Sequence, residues 1–247
     1  MTQCNASKYK FQGLKNRQVE GTFDGGLISS DSGALLLREL CEKEGYFKKL
    51  CKCFEDHRRQ DLIEHNLETL LAQRILGICL GYEDLDDHEE LRKDPLLSLV
   101  CGETDIEGKR RRQEVAKGIP LAGKSTLNRL ELTPEDASAA SRYKKIVYNR
   151  EKMEYFFVST FLKSKSAPPK SIVLDLDATD IPLFGQQEGR FYHGYYDCYC
   201  YLPLYIFCGD ELLCALLRQS NIDGSFGALE EVERIVEQIS LDFGSLL

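Results

Sequence analysis

The sequence has no apolar run that approaches the ~20 residues of a membrane-spanning helix, and residues 1–5 contain no apolar signal core. It also has no internal repeat and no low-complexity segment. These absences predict a cytoplasmic protein with no membrane partner. The 247 residues suffice for one large domain or two smaller ones, each with its own core.

The chain also lacks a recognisable disulfide or zinc framework, although it contains ten cysteines. Because no secretion signal is visible, we expect reduced thiols rather than disulfides. Cys51 and Cys53, with His57 and His65, are the best zinc candidates. However, a one-residue gap between the cysteines is shorter than structural zinc sites use, and no second pair is obvious. A cysteine-rich redox or zinc protein is therefore a minor alternative.

An overall positive charge is missing, because the net charge is −8. The charge is nevertheless segregated along the chain. Residues 1–108 carry 14 Lys/Arg against 21 Asp/Glu, residues 109–165 carry 14 against 6, and residues 166–247 carry 4 against 13. Affinity for a polyanion depends on local basic surfaces. The middle block, at +8, is therefore a candidate DNA-binding segment, unless its cations only solvate helix faces.

An acidic run at residues 172–180 carries the strongest chemical signal. Three apolar residues lead into Asp175 and Asp177, and the two-residue period of a strand places both carboxylates on one face. Asp180 follows just past the strand end. Acids this close repel one another, so a divalent cation bound by oxygen ligands is one explanation. The other is a solvated strand end whose acids cap the next turn.

Periodicity and capping signals predict a helical N-terminal region. Residues 34–40 read as a capped helix start, and apolar residues between 62 and 79 recur at helical spacing until Gly81. The acidic cluster at 83–90 is interpreted as the start of a helix that continues to about Arg92. Residues 109–112 read as a loop, residues 125–130 as a short helix and residues 134–162 as one or two helices that begin at Thr133-Pro134-Glu135.

After a Pro/Ser/Lys linker at 166–170, the hydrophobic period changes to that of strands. Residues 171–178, 195–207 and 211–218 read as three strands, with Gly209-Asp210 as the hairpin turn between the last two. Residues 226–240 then read as an amphipathic helix. The fold class predicted from these patterns is α+β, with residues 1–165 mainly helical and residues 171–247 forming three strands and a helix.

Several motifs resemble the group-1 DDE transposases of bacterial insertion sequences. The resemblance covers residues from about 20 to 239, with the motifs in the family's order. Besides the Asp-x-Asp-Ala-Thr-Asp strand at 175–180, the matching segments are residues 23–26, 32–39, 81–84, 125–131, 185–189, 192–196, 201–204 and 218–224.

The resemblance implies a ribonuclease H-like catalytic domain at 171–247 and metal-dependent cleavage and transfer of DNA strands. It implies Mg²⁺, with Mn²⁺ as a substitute, bound by Asp177 and Asp175. Asp177 is the first choice for the first catalytic acid because of its spacing from Thr179. Asp175 is second and Asp180 third.

The expected substrate is double-stranded DNA at insertion-sequence ends. The candidate DNA-binding residues are cations of the basic block, which spans residues 109–165. They are Lys109, Arg110, Arg111, Arg112, Lys124, Arg129, Arg142, Lys144 and Lys145.

The chain departs from its family after the helix at 226–240, where a second catalytic aspartate and a later glutamate are expected. The sequence therefore predicts an incomplete catalytic domain and a transposase that is inactive alone. The alternative is a non-catalytic DNA-binding fragment that regulates or inhibits a full-length transposase. A homo-multimer and a mixed multimer with that enzyme both remain open.

Overall fold

The computed structural model describes residues 9–14, 17–21, 28–167 and 169–244, and it has an α+β architecture. The motif at 23–26 and Pro168 of the expected linker lie outside the described residues. The chain divides into two compact units, Met1–Cys51 with Glu55–Val147 and Lys52–Phe54 with Tyr148–Leu247. Within the described ranges, no helix is both long and apolar enough to span a bilayer.

The first unit is mainly helical. Its elements in chain order are β1 (Tyr9–Leu14), β2 (Arg17–Gly21), α1 (Ala34–Glu44), α2 (Tyr46–Cys51), β3 (Phe54–Asp56), α3 (Leu67–Cys79), α4 (His88–Leu91), α5 (Pro95–Val100), a 3₁₀ turn (Glu114–Ala116), α6 (Lys124–Glu131) and β4 (Ile146–Tyr148). β1 and β2 form an antiparallel hairpin, and β3 pairs with β4.

Helix α3 lies at the centre of the first unit. It begins at Leu67 because the side chain of Asn66 accepts a hydrogen bond from the Thr69 N–H at 2.8 Å, so the helix predicted from residue 62 starts five residues later. Leu70 and Leu76 of α3 are fully buried. The predicted end is confirmed, since Gly81 follows the helix with φ 95°.

One prediction for the first unit is wrong, and one helix is shorter than predicted. Residues 134–149 form turns and β4 instead of a helix, because Ser138 and Ser141 bind nearby backbone N–H groups and compete with helical bonds. The helix predicted across this region begins only at Arg150, where Asn149 caps it. The helix predicted to continue to about Arg92 is α4, which ends at Leu91. Only His88, Glu89 and Glu90 of the acidic cluster lie in it, and most acids of the cluster precede it.

The second unit begins with a long helix and continues with two small sheets. Its elements are α7 (Arg150–Ser164), β5 (Asp175–Ala178), β6 (Ile181–Pro182), β7 (Phe191–His193), β8 (Cys198–Tyr201), β9 (Leu204–Cys208), β10 (Glu211–Leu216) and α8 (Ala228–Gly244). The first sheet is antiparallel in the order β10-β9-β5, and the second is antiparallel in the order β6-β8-β7.

One face of the β10-β9-β5 sheet carries the core of the second unit. Leu204 and Ile206 alternate along β9 and are buried against Phe161 of α7 and Ile235 of α8. Helix α7 therefore belongs to this core, although its sequence position placed it before the linker and with the N-terminal region. The apolar side chains of α7 pack against strands and a helix that come later in the chain.

The strand predicted over residues 195–207 is two strands in different sheets. Pro203 separates β8 from β9, because proline lacks the N–H that a continuous ladder needs. The first strand is also shorter than predicted and begins at Asp175. The hairpin turn is confirmed, with Gly209 at φ 61°, and α8 follows the predicted helix with ends shifted by two and four residues.

Candidate active site and basic surface

Asp175 and Asp177 lie on one exposed face of β5, as the strand period predicts. Asp175 is paired with Phe207 and Asp177 with Tyr205 across the antiparallel ladder to β9. The intervening Leu176 pairs with the buried Ile206. Side chains alternate between the faces of a strand. The two carboxylates are therefore on the face opposite the one on which α7 and α8 pack.

Asp180 lies close to the second, smaller sheet. Its Oδ2 is 4.0 Å from the Cys198 Sγ. The Tyr196 hydroxyl donates a hydrogen bond to the Ala178 carbonyl at 3.2 Å. Partial burial and the negative charges of Asp180 and Asp177 raise the pKa of Tyr196. Asp177 and Asp180 therefore influence the same phenol.

These acids do not complete a metal site by themselves. Within residues 9–14, 17–21, 28–167 and 169–244, no group of three or more His, Cys, Asp or Glu side chains converges on a point that could hold an ion. Two carboxylates on an open strand suit a hard cation but fall short of its six or more oxygen ligands. The donor set fits a metal only in part.

Arg218, in the motif at 218–224, holds together the loop beside β5. Its side chain is buried, and it donates to the carbonyls of Leu202, Gly224 and Phe226. Gly224 approaches Ala178, whose Cβ would lie 3.6 Å from a side chain added at that glycine. The motif therefore positions backbone next to the acidic strand.

Most cations at 109–112 have acidic partners within the first unit. Lys109 forms an ion pair with Glu107. The Asp105 carboxylate accepts from the backbone N–H groups of Lys109 and Arg110. Arg111 pairs with Glu64 at 3.2 Å and is largely buried. The predicted basic loop is present, but much of its charge is neutralised internally.

Other predicted cations line a cavity of about 470 Å³ together with Tyr143 and Asp86. Lys124, Arg129 and Lys144 line this cavity. The guanidinium carbons of Arg129 and Arg142 are each 4.9 Å from the centre of the Tyr143 ring. Lys145 instead bonds the Ala139 carbonyl.

The structure also groups residues that the sequence did not connect. Arg58, Arg92 and Ser125 line a larger cavity of about 570 Å³ together with Arg111 and Arg112. His65, a zinc candidate in the sequence, lies in this cavity and contacts Arg111. The partners are 46 residues apart in the chain, so no local pattern could have identified them.

Comparison with known proteins gives one match. The model of the family described as transposase DDE domain group 1 matches residues 11–244, almost the whole chain. No curated protein and no solved structure matches.

Proposed function

The chain belongs to the group-1 transposase DDE-domain family, and we propose that its second unit follows the ribonuclease H-like pattern with Asp177 as the first catalytic acid. One observation carries this proposal: an antiparallel sheet of three strands in the order β10-β9-β5, with exposed aspartates on β5 and a helix after β10, although β6 to β8 intervene in the chain between β5 and β9. An acidic first strand at this place is what the pattern requires.

Asp177 is favoured over Asp175 by its surroundings. Asp177 directly precedes Ala178, whose carbonyl accepts a hydrogen bond from the Tyr196 hydroxyl at 3.2 Å, so Asp177 lies nearer to the other polar groups of this region. Asp175 shares its face and would be a second ligand. Asp180 is the third candidate.

DNA is the substrate that the family implies, and DDE transposases generally depend on divalent metal. We propose Mg²⁺, with Mn²⁺ as a substitute, and a cytoplasmic site of action. When bound, such an ion polarises a phosphodiester oxygen and activates the attacking hydroxyl. The part of Asp177 and Asp175 is to contribute carboxylate oxygens from a rigid strand.

We further propose that this chain alone does not cleave DNA. Paired metals need more carboxylates than β5 supplies, and no third acid joins Asp175 and Asp177 within the described residues. In those residues β5 is also an edge strand, with one side free for another strand. Both features support complementation by further acidic residues, supplied by another polypeptide segment.

The test of the acid assignment is an enzyme complemented to full activity. Asp177→Asn should abolish metal-dependent strand cleavage and leave duplex binding unchanged, because it removes a ligand and keeps the shape. Asp210→Asn, in the hairpin turn, is the matched control and should cleave normally. If Asp177→Asn cleaves robustly while Asp175→Asn does not, the role passes to Asp175.

We propose that DNA binding uses the surface formed by Arg129, Arg142, Tyr143 and Lys144. Lys124 lies beside them but contributes less, because its Nζ pairs with the Asp86 carboxylate at 2.7 Å. An aromatic ring beside guanidinium groups fixes the orientation of the guanidinium planes, and these groups can then contact phosphates. Duplex binding should weaken steeply with salt, since cations that contact phosphates release counterions. Lys109 to Arg112 and Lys145 contribute less, because most of them have partners within the protein.

The test compares two double variants of the full chain. Arg129→Ala with Lys144→Ala should lower the salt slope of duplex affinity by about two, because each substitution removes one cation that binds a phosphate. Lys48→Ala with Lys49→Ala, on α2, should leave the slope unchanged. Equal slopes for both double variants would remove this surface from the proposal. Reversing Arg110, Arg111 and Arg112 together is a poorer test, because a glutamate at 111 would face Glu64.

A chain that binds DNA without cleaving it also fits the second candidate function. As a DNA-binding fragment, it would occupy element ends or enter mixed multimers with a full-length transposase and inhibit it. The observation that favours this alternative is the incomplete set of acids within the described residues. Adding the purified chain to an active full-length relative distinguishes the two, since complementation raises cleavage and inhibition lowers it.

A further inference from the structure

The small β6-β8-β7 sheet of the second unit has one face that is built largely from tyrosines. Tyr192 of β7 is paired with Tyr199 of β8, and Tyr201 of β8 is paired with Ile181 of β6. Cross-strand partners share a face, and side chains alternate along a strand. These four side chains therefore lie on the same face of the sheet, which we call the tyrosine face.

The two faces of this sheet differ in burial. Cys200, which alternates with Tyr199 along β8, is fully buried, so the opposite face packs into the unit. On the tyrosine face, Tyr192 is 53% exposed and Tyr199 is 47% exposed. Phe184 and Tyr195, in the loops beside the sheet, are also exposed. Single exposed apolar residues are ordinary, but a group of neighbouring aromatic rings in solvent indicates a binding surface.

The rings of the tyrosine face are held in place before any ligand binds. The ring centres of Tyr192 and Tyr199 are 5.6 Å apart in an edge-to-face arrangement. The Tyr192 hydroxyl donates to the Asp197 carboxylate, and the Tyr201 hydroxyl donates to the Glu188 carbonyl. Because these contacts restrict the rings, a ligand that stacks on them costs little side-chain entropy.

Arg190 adds a positive charge to this surface. Its guanidinium carbon lies 4.6 Å from the centre of the Tyr199 ring. Its two terminal nitrogens donate to the Gly185 carbonyl and, at 2.7 Å, to the Gln186 Oε1. Both acceptors are uncharged, and Arg190 has no carboxylate partner in the part of the chain that the structure describes. The motif at 185–189 therefore orients a guanidinium plane whose charge is available to an anion.

Unpaired nucleic-acid bases match this combination of groups. A base is flat and aromatic, stacks on tyrosine rings and on guanidinium planes, and carries a phosphate that a nearby arginine can bind. Bases within a duplex are already stacked on one another, so they cannot lie on a flat sheet. DNA is also the substrate that the family implies.

We propose that the tyrosine face, together with Arg190, binds unpaired bases of single-stranded DNA. Only Thr179 and Asp180 separate the acidic strand β5 from β6. In addition, Cys198 of β8 lies 4.0 Å from Asp180. A single strand on this face would therefore be held near Asp177. That role in cleavage rests on the proposed function, whereas the binding of a single strand does not.

A fluorescently labelled single strand of about ten nucleotides, titrated into the full chain, tests the proposal by anisotropy. The titration uses a salt concentration at which duplex DNA does not bind, which excludes the basic surface of the first unit. Affinity should depend weakly on salt, with a slope of about −0.7, because Arg190 contacts one phosphate. Since the chain has no tryptophan, quenching of tyrosine emission reports the stacking directly.

Three variants separate the stacking from the charge. Tyr199→Leu removes a ring and keeps an apolar strand residue, so it should weaken single-strand binding by about tenfold. Tyr199→Phe keeps the ring and should bind like the parent. Arg190→Gln should bring the salt slope close to zero. Arg190 is only partly buried, so this variant keeps the test valid even if Tyr199→Leu loosens the sheet.

Tyr155→Leu is the matched control. Tyr155 belongs to the same unit and is 54% exposed, but it lies on α7, away from the tyrosine face. This variant should bind the single strand like the parent. A parent chain that binds no single strand would overturn the proposal, as would equal losses in Tyr155→Leu and Tyr199→Leu. The same holds if Tyr199→Leu abolishes self-association in sedimentation but leaves single-strand binding unchanged, because the face is then an interface between copies.

The outcome is separate from the test of the catalytic acid. If Tyr199→Leu and Arg190→Gln change single-strand binding as expected, the tyrosine face is supported even where the assignment of Asp177 fails. If neither variant changes it while Asp177→Asn abolishes cleavage in the complemented enzyme, the acid assignment stands and the tyrosine face is refuted.

Discussion

Acid should destabilise the first unit through His65. The ring is buried, and burial with the Arg111 charge lowers its pKa from 6.5 to about 4. As the pH falls below 6.5, the unfolded chain takes up a proton that the folded protein does not. The folded state therefore loses stability until the pH reaches about 4, and the stability contribution is fully present above 6.5.

The size of this effect follows from the two pKa values. The difference between 6.5 and about 4 corresponds to about 3 kcal/mol of unfolding free energy, lost at just over 1 kcal/mol per pH unit. That loss is a large fraction of the stability of an ordinary domain. The unit should therefore begin to open in mildly acidic solution.

NMR spectroscopy tests the prediction directly, because the chain has only four histidines. The His65→Gln spectrum identifies the ring signal of His65, which should then titrate in the parent with a midpoint near 4. Hydrogen exchange at α3 in urea reports the free energy of unfolding of this unit. That free energy should depend less on pH in His65→Gln than in the parent. A midpoint at or above 6.5 for His65 would refute the reasoning.

Three further outcomes are expected. In denaturant titrations, Ile235→Ala should lower the free energy of unfolding of the second unit by about 3 kcal/mol, because it leaves a cavity at a fully buried position. The control Val236→Ala, at a position on the same helix that is 51% exposed, should lower it by under about 0.5 kcal/mol. Arg218→Met should leave the carbonyls of Leu202, Gly224 and Phe226 without their side-chain donor. Hydrogen exchange at residues 219–227 should therefore become faster. Unchanged exchange protection there would contradict the role of Arg218 in positioning this loop. In thiol labelling of the native protein, the exposed Cys79 should react quickly, while the buried Cys101, whose pKa is raised by burial, should react only after unfolding.

Local sequence patterns were sufficient for some parts of the protein. The two-residue spacing of Asp175 and Asp177 places them on one face of β5 because alternation is a property of every strand. The Gly209-Asp210 turn and helix α8 follow from a residue that tolerates positive φ and from helical spacing of apolar residues. The family, too, is determined by short motifs in a fixed order, and the match over residues 11–244 confirms it.

Predictions failed where a partner distant in sequence decides the outcome. Local patterns predict a helix over residues 134–149, but serine side chains bind the backbone there and β4 pairs with β3. The sequence did not reveal the break between β8 and β9 at Pro203, because the residues on both sides are apolar or aromatic. Strands of two different sheets can follow one another without a polar loop. The position of α7 depends on Phe161 packing against β9, about 40 residues later in the chain.

The sequence by itself determined that this is a DDE transposase chain of α+β architecture, with two aspartates on one face of an exposed strand. Only the tertiary structure decided which cations are available to a ligand. Arg111 is neutralised by Glu64, whereas Arg129 lies beside Tyr143 and Arg112 lines a cavity with His65. The physical reason is that charge in a sequence is a sum, while binding depends on which charges remain unpaired after folding.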